Sequence, residues 1–524
     1  GTSRLHASCK GAAHSQSFLV NGVVQPGRHV LSASDLVTLV DQPSSIQQGI
    51  DGLNVPDVPV SRARMALDAP EDDRTKRRRT LFLDRSSAFM QYYTSQLPEA
   101  NWDEIEEACS ALMPLCVRPN VSVYSHALTM RNLSGQPGAS HRRVSWHPTA
   151  SFVAAQSQVE EHVSELLLNA QSCGELALQE AAAMLPALAL APGPDHRVLD
   201  MCAAPGGKSL QLLDSMMTAA QPSESKSPMQ MDDSDKSWAA RQLHSKGVLL
   251  SNDVQRQRQE RTLRRACCQP CTPLVVTCED ATALGQSRGW KFDRVLCDVP
   301  CTGDGTIRKS PAVLTRWRVA HGLRAHCLQL SILQRGLALL EVGGRLAYST
   351  CALDPLQNEA VIWAALRGRV DIRLVPASEA LSAEASAAVR AHAGLQSWHV
   401  PHPGFDDATG GEDECGVTFQ CWADVPAHLR EGYVPEPSAA TKSAGANAKA
   451  YGHVAAERPM LHESMFPPCE AERERERGAL NLEGTIRLLP TCQGAADHGG
   501  FFVAILERVA KESVAGGSAT AEEV

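Results

Sequence analysis

The sequence predicts a doubly wound α/β fold around a mostly parallel sheet. Three observations carry this expectation. Short apolar runs recur at 198–201, 248–250, 274–276, 295–297 and 345–348, the form of strands buried on both faces. Longer stretches with helical spacing, such as 323–341 and 357–366, separate them. A turn rich in small residues follows the first run, and a helix is expected to start near Gly207. The apolar run 501–506 adds a strand near the C-terminus.

The elements before and between these runs follow in order. Residues 1–80 are rich in Ser, Gly, Gln and Pro without a sustained period and are expected to be a disordered tail. The tail ends in a basic cluster at 74–79, which fits a nuclear address, a phosphate contact or a solvated charge run. The chain begins with Gly1 and not Met, so residues are expected to precede it. A folded N-terminal region is expected over 81–185. It contains Phe89, Tyr92, Tyr93 and Trp102, and a helical pattern through Ile105, Ala108, Leu112 and Leu115. The α/β domain is expected over 186–510, with polar insertions at about 221–245 and 379–460 forming surface loops, and a second tail at 511–524. The Glu/Arg alternation at 470–477 predicts an exposed helix face.

Composition narrows the function. Lys and Arg number 50 against 59 Asp and Glu, a net charge of −9, which excludes a protein that is basic throughout but permits a local basic patch. Between Gly305 and Leu340 lie Arg308, Lys309, Arg316, Arg318, Arg324 and Arg335 with no acidic residue, a patch suited to phosphate. Arg308, Lys309, Arg316 and Arg318 are the candidate phosphate contacts. The arginines of 256–265 are expected to line an exposed helix. Seventeen cysteines scattered along a long chain point to reduced thiols. No 18-residue apolar stretch is present, so no membrane span is expected. One C-x-x-C without a second pair gives no zinc site, and no metal is expected.

The chemistry concentrates at the strand ends. HRVLDMCAAPGGK at 196–208 places Gly206 and Gly207 where backbone can approach a ligand and where the N–H groups of a helix N-terminus face the crevice. Asp253 follows the second run, placed to accept both ribose hydroxyls of an adenosyl ligand, and Asp280 follows the third. Asp298, Pro300 and Cys301 follow the fourth, and Cys351 the fifth. Two thiols at adjacent strand ends point to nucleophilic chemistry.

Asp200–Lys208, Asp298–Cys301 and Thr350-Cys351 resemble the motifs of the Nop/Sun family of S-adenosylmethionine-dependent RNA cytosine C5-methyltransferases. VSWHP at 144–148, Gln179-Glu180, CDVPCTGDGTIRK, STCALDPLQNEAVI, MFPP at 465–468, and LLP at 488–490 followed by GGFF at 499–502 resemble its eukaryotic tRNA-methylating branch. The resemblance implies a class I methyltransferase (Rossmann-like) seven-stranded sheet with an N-terminal RNA-recognition region, covering about 82–510. It implies that Cys202, Ala203, Ala204, Pro205, Gly206, Gly207, Lys208, Asp253, Asp280 and Asp298 bind S-adenosylmethionine or line its pocket. It further implies that Cys351 adds to carbon 6 of cytosine and that Cys301 assists product release. Lys208 and Asp298 belong to the catalytic set as well, Asp298 in its protonated form steadying the ring at N3. The substrate expected is tRNA. The alternatives are rRNA or mRNA, a non-catalytic RNA-binding scaffold, and a DNA enzyme with the Pro-Cys thiol as nucleophile, against which Thr350-Cys351 argues. A monomer is expected, in the nucleus or nucleolus, with the cytoplasm as the alternative. Three departures from the branch are visible: Gly207 where some members carry Ser, the long polar insertion at 221–245, and an end soon after Phe502 without the C-terminal region of longer members.

Overall fold

The computed structural model describes residues 17–20, 87–121, 123, 125–136, 139–155, 161–218, 247–267, 274–406, 414–430, 459–469, 472, 481–493 and 496–510. The basic cluster at 74–79, the 221–245 insertion, the second tail, Cys268 and Cys271, and most of 470–477 lie outside the described residues. From the first tail, Ser17–Val20 (β1) is described, a strand where disorder was expected.

Two helices open the folded region, α1 (Ala88–Gln96) and α2 (Trp102–Ser110). The helical pattern expected to run to Leu115 stops at Ser110, and Leu115 instead begins a strand. Pro114 is the physical reason: it has no N–H to donate and holds Met113 out of the helical region. A small antiparallel sheet follows, built from β2 (Leu115–Pro119), β3 (Ala139–Arg143), β4 (Ser151–Ala155) and β5 (Leu176–Leu178) in the order β3-β4-β2-β5. Arg118 on β2 is buried and reaches Asp214 on the helix that follows the Gly turn, tying this sheet to the α/β domain.

The α/β domain supplies β6 (Arg197–Asp200), β7 (Val248–Asn252), β8 (Leu274–Thr277), β9 (Phe292–Asp298), β10 (Leu340–Thr350), β11 (Ile372–Val375) and, after a short pair β12 and β13 (Val400–Pro401, Thr418–Phe419), β14 (Ile486–Leu488) and β15 (Phe501–Arg508). The sheet order is β1-β8-β7-β6-β9-β10-β15-β11, with β14 on β15. Neighbours from β8 to β10 are parallel, and β15 runs antiparallel to β10 and β11. The expected seven-stranded sheet is therefore present, extended at one edge by β1 and beside β15 by β14. The order reverses between β6 and β9, so the crevice at their carboxyl ends is the switch point where such sheets bind ligands.

Helices α3 (Gly207–Thr218), α4 (Arg256–Ala266) and α5 (Val319–Leu339) cross between strands. Helix α5 carries the crossover from β9 to β10. Its buried Leu323, Ile332, Leu333 and Leu337 recur at helical spacing and face the core.

The stretch 379–460, expected as one surface loop, is folded over most of its first half. Trp398 and Phe405 are each 3% exposed, and Val400, Phe419, Val425 and Leu429 join the same core. The Trp398 indole N–H donates to the Met465 carbonyl at 2.7 Å. Sparse apolar anchors, spaced by Ala and Gly, pin this segment without periodicity that a sequence pattern reveals. Trp398→Ala is expected to lower unfolding free energy by about 3–5 kcal/mol, the cost of emptying a buried aromatic site. Urea denaturation checks this; a change within about 0.5 kcal/mol would return the segment to the surface.

Candidate active site

The loop 201–206 follows β6 and is fixed by backbone contacts. The Ala203 N–H donates to Asn252 O (2.7 Å) and the Ala204 N–H to Asp253 Oδ2 (3.2 Å). Asp253 Oδ1 accepts the Gln255 N–H at 2.9 Å, so each oxygen of this buried carboxylate holds one backbone proton, and the Arg258 guanidinium lies 3.7 Å from Oδ2. Arg258 and Arg265 on α4, expected to be part of a merely exposed face, donate to Ala204 O and Pro205 O. Gly206 has φ of +94°, and a Cβ there would lie 2.9 Å from Thr262 Cγ2, which reserves the position for glycine. At Gly207 a Cβ would meet nothing within 4 Å, so the serine of other members fits equally well. Asp280 is exposed and binds its own Thr282 N–H and hydroxyl.

Asn252 had no role in the sequence reading, yet its side chain joins three strand ends. It donates to Met201 O and Glu279 O, each at 3.0 Å, and accepts from Thr277 and the Glu279 N–H. Asp200 also went unassigned. It is 1% exposed; Oδ2 accepts the Ser209 hydroxyl at 2.7 Å, whereas Oδ1 has no protein partner. Burial pushes its carboxyl up to about 7, further raised by Asp298 and opposed by Ser209 and Lys208.

The other half of the site follows from strand register. Asp298 at the end of β9 lies opposite Ser349 on the parallel β10. Cys301, three residues beyond Asp298, and Cys351, two beyond Ser349, emerge side by side with their sulfurs 3.3 Å apart. Lys208 Nζ donates to Asp298 Oδ2 and the Ser349 hydroxyl to Oδ1, both at 2.7 Å. Burial lowers the Lys208 pKa, but the Asp298 charge and hydrogen bond outweigh it and the net shift is upward. Phe501 packs 5.2 Å beneath Lys208.

The two thiols titrate as a pair. The first proton leaves more easily than from an isolated thiol, because the resulting thiolate accepts the remaining S–H; burial opposes this, and the backbone N–H groups of Cys351 and Gly303 assist it at Cys301. The second is held far above the usual thiol range by that same hydrogen bond, by burial and by the neighbouring charge, with Lys208 pulling the other way at Cys351.

A buried network holds the two cysteine loops together. Gln357 accepts the Thr302 N–H at 3.0 Å and donates to Thr302 Oγ1 (2.8 Å) and Asp354 Oδ2 (3.0 Å). Tyr92 donates to Asp354 Oδ1 at 2.8 Å, and Tyr93 to Asp304. Burial raises both acids above their usual range, and the Asp354 charge adds to this at Asp304. Helix α1 therefore reaches the thiols through hydrogen bonds, a role its aromatic composition did not reveal. Gly305 donates to Cys351 O (2.9 Å) and accepts from the Gly500 N–H (2.8 Å), locking β15 onto the first cysteine loop.

The candidate RNA contacts divide. Arg308 is 1% exposed; it pairs with Asp497 at 2.7 Å and donates to Thr491 O at 2.8 Å. This corrects its assignment to a surface patch: three backbone turns converge there, and the guanidinium satisfies them. Lys309, Arg316 and Arg318 are exposed, Arg318 with Asp406 at 3.6 Å. A cleft of 510 Å³ opens beside them and reaches Cys301. Among the described residues no cluster of His, Cys, Asp or Glu could hold a metal, and no helix is long and apolar enough to cross a membrane.

Residues 235–407 match the family model described as 16S rRNA methyltransferase RsmB/F. The chain carries a domain of this RsmB/F (Sun/Nop) family. Over 350 residues the chain is 32% identical to the tRNA (cytosine(34)-C(5))-methyltransferase of Drosophila melanogaster, covering 64% of this chain and 37% of that protein. It is 28% identical over 476 residues to the multisite-specific tRNA:(cytosine-C(5))-methyltransferase of Saccharomyces cerevisiae, covering 84% and 58%. A crystallised methyltransferase homologue from Pyrococcus horikoshii aligns with a TM-score of 0.49 at 22% identity, over 80% of this chain and 94% of that one. The chain thus spans about a third to three fifths of the length of these two curated relatives.

Two outcomes are expected. A Cβ at Gly305 would lie 2.5 Å from Gly500 O and 2.8 Å from Cys351 O, so Gly305→Ala is expected to destabilise by about 1–3 kcal/mol, read by thermal unfolding; an unchanged Tm would mean the loops are not locked. The Asp200 carboxyl sits near 7 in the folded chain and about 3.9 unfolded. Its contribution to stability is complete at low pH and lost as pH rises through 7. Relative to wild type, Asp200→Asn should gain Tm steadily between pH 4 and 8; a pH-independent difference would contradict a raised Asp200.

Proposed function

We propose that this chain is an S-adenosylmethionine-dependent RNA cytosine C5-methyltransferase acting on tRNA. The observation that carries the reading is the thiol pair, 3.3 Å apart at two parallel strand ends, with the Lys208–Asp298 pair beside it. The names of the similar tRNA enzymes support the substrate.

The residues fit the cofactor. The partnerless oxygen of buried Asp200 suits a cationic group, and the N-terminus of α3 suits a carboxylate. Asp253 is placed to accept ribose hydroxyls, and the 202–208 loop closes the floor. Bound there, S-adenosylmethionine supplies an electrophilic methyl group.

The thiols then divide the work. As Cys351 adds to carbon 6 of cytosine, its S–H proton passes to the Cys301 thiolate 3.3 Å away, with Lys208 easing the charge at Cys351; a C–S bond forms and the ring's electron pair moves to carbon 5, the atom a bound methyl donor would alkylate. Once Cys351 is bonded, its charge no longer opposes ionisation of Cys301. Cys301 loses its proton to solvent, with backbone N–H groups holding the thiolate. It then takes the proton from carbon 5, and that electron pair expels Cys351 as the C–S bond breaks. Lys208 and Asp298 orient the ring at its polar edge.

The matched family description, and a human 28S rRNA (cytosine(4447)-C(5))-methyltransferase 34% identical over 207 residues, favour ribosomal RNA as the second reading. Labelled methyl transfer to separate tRNA and rRNA pools decides between them.

The two cysteines should fail differently. Cys301→Ala is expected to attack and methylate but remain bonded to RNA, giving a slow-migrating band on a denaturing gel. Cys351→Ala and the double variant should give none. A band that needs Cys301 and survives Cys351→Ala would exchange the roles.

A further inference from the structure

The cleft that reaches Cys301 is lined by Val313, Arg316, Trp317, His321, Arg324 and Leu328, among others. Neither Cys351 nor any of the 202–208, Asp253 and Asp280 residues lines it. It therefore adjoins the reacting thiol without containing it, and it is separate from the proposed cofactor floor. Its volume of 510 Å³ falls within the roughly 300–1,000 Å³ of small-ligand sites.

Its chemistry is that of a nucleotide seat. Val313, Trp317 and Leu328 form an apolar wall, and Arg316 and Arg324 are exposed beside it, with no acidic residue in the lining. Trp317 is 7% exposed and packs into the aromatic core, with ring centroids 5.4 Å from Phe89, 5.5 Å from Tyr92 and 5.9 Å from Tyr93, so it backs the cleft wall while the exposed His321 supplies the accessible ring. His321, Arg324 and Leu328 recur at helical spacing on α5 and so share one face. His321 is exposed; partial desolvation, aided by Arg324 and Arg318 and opposed by Asp406, holds its ring below its usual pKa. Aromatic planes with flanking arginines bind unpaired nucleotides by stacking and phosphate contact.

We propose that this cleft seats the unpaired nucleotide next to the target cytosine, its base against His321 and Leu328, with Trp317 backing the wall, and its phosphate on Arg316 and Arg324. The proposal rests on the RNA cytosine methyltransferase reading. A base bonded to Cys351 places its strand neighbour at the adjacent opening, and Cys301, 3.3 Å from Cys351, lies at that opening. Seating the neighbour holds the target base out of its stack, which this chemistry requires.

The test uses a tRNA transcript that the full chain methylates, its target cytosine mapped by bisulfite sequencing. The transcript is rebuilt with an abasic ribose at the 5′ or the 3′ neighbour. One of these is expected to raise KM for RNA about tenfold with kcat changed less than twofold. Arg316→Gln should raise KM similarly and flatten its dependence on salt, while cofactor affinity stays the same. In Ala325→Trp, which fills the cleft, the abasic change should have no further effect; thermal unfolding confirms that both variants fold. Should wild type methylate the transcript with both abasic neighbours neutral, or should Arg316→Gln leave KM unchanged, the seat is wrong while the enzyme reading stands. Should wild type neither label nor trap any tRNA or rRNA, the enzyme reading falls and the seat with it.

Discussion

The parallel pairing of β9 with β10, which sets Asp298 opposite Ser349, is the constraint on which the site depends. A one-residue slip would turn every side chain of one strand to the other face. Here it would part the sulfurs, remove the Ser349 hydroxyl from Asp298 and leave Lys208 without an organised partner. The register is fixed from outside the site: α5 packs its apolar face across both strands, and β15 pairs with β10 on the far side. The chemistry of two residues 50 positions apart in the chain is thus a property of sheet pairing.

Burial then gives the paired groups their character. A thiol alone in an apolar core resists ionisation, as Cys297 on β9 does. Cys301 and Cys351 differ because each is the other's hydrogen-bond partner, with backbone N–H groups and an ammonium close by. The arrangement admits one negative charge readily and two with difficulty, which suits a cycle in which one sulfur is bonded while the other works. The Gln357–Asp354–Asp304 network and the tyrosines of α1 keep the two loops at this separation, so the N-terminal region acts on the chemistry through packing and hydrogen bonds.

Much of this was legible in the sequence. Five apolar runs bounded by turn residues gave the parallel strands, and the Gly turn and the two cysteines at strand ends gave the ligand crevice, because both signals are local. What escaped was long-range. Arg308 reads as one more cation in a basic stretch, and only its three backbone acceptors, from segments far along the chain, show that it is a buried tie. The stretch 379–460 lacks periodicity and reads as a loop, yet Trp398, Phe405 and Phe419 anchor its described first half to the core. Asn252 and Gln357 are ordinary amides in sequence; their importance lies in which strand ends and loops they join. Pro114 is a local stop signal, and it ends the helical spacing that otherwise continues to Leu115.

The central claim is that this thiol pair directs a methyl group to carbon 5 of cytosine in RNA. Incubating the chain with unmodified tRNA transcripts and S-adenosylmethionine carrying a deuterated methyl group, then digesting the RNA to nucleosides for mass spectrometry, tests it most directly. The account predicts deuterated 5-methylcytidine from the wild-type chain and none from Cys351→Ala. Label on another base or another cytosine atom, or 5-methylcytidine that persists in Cys351→Ala, would contradict it.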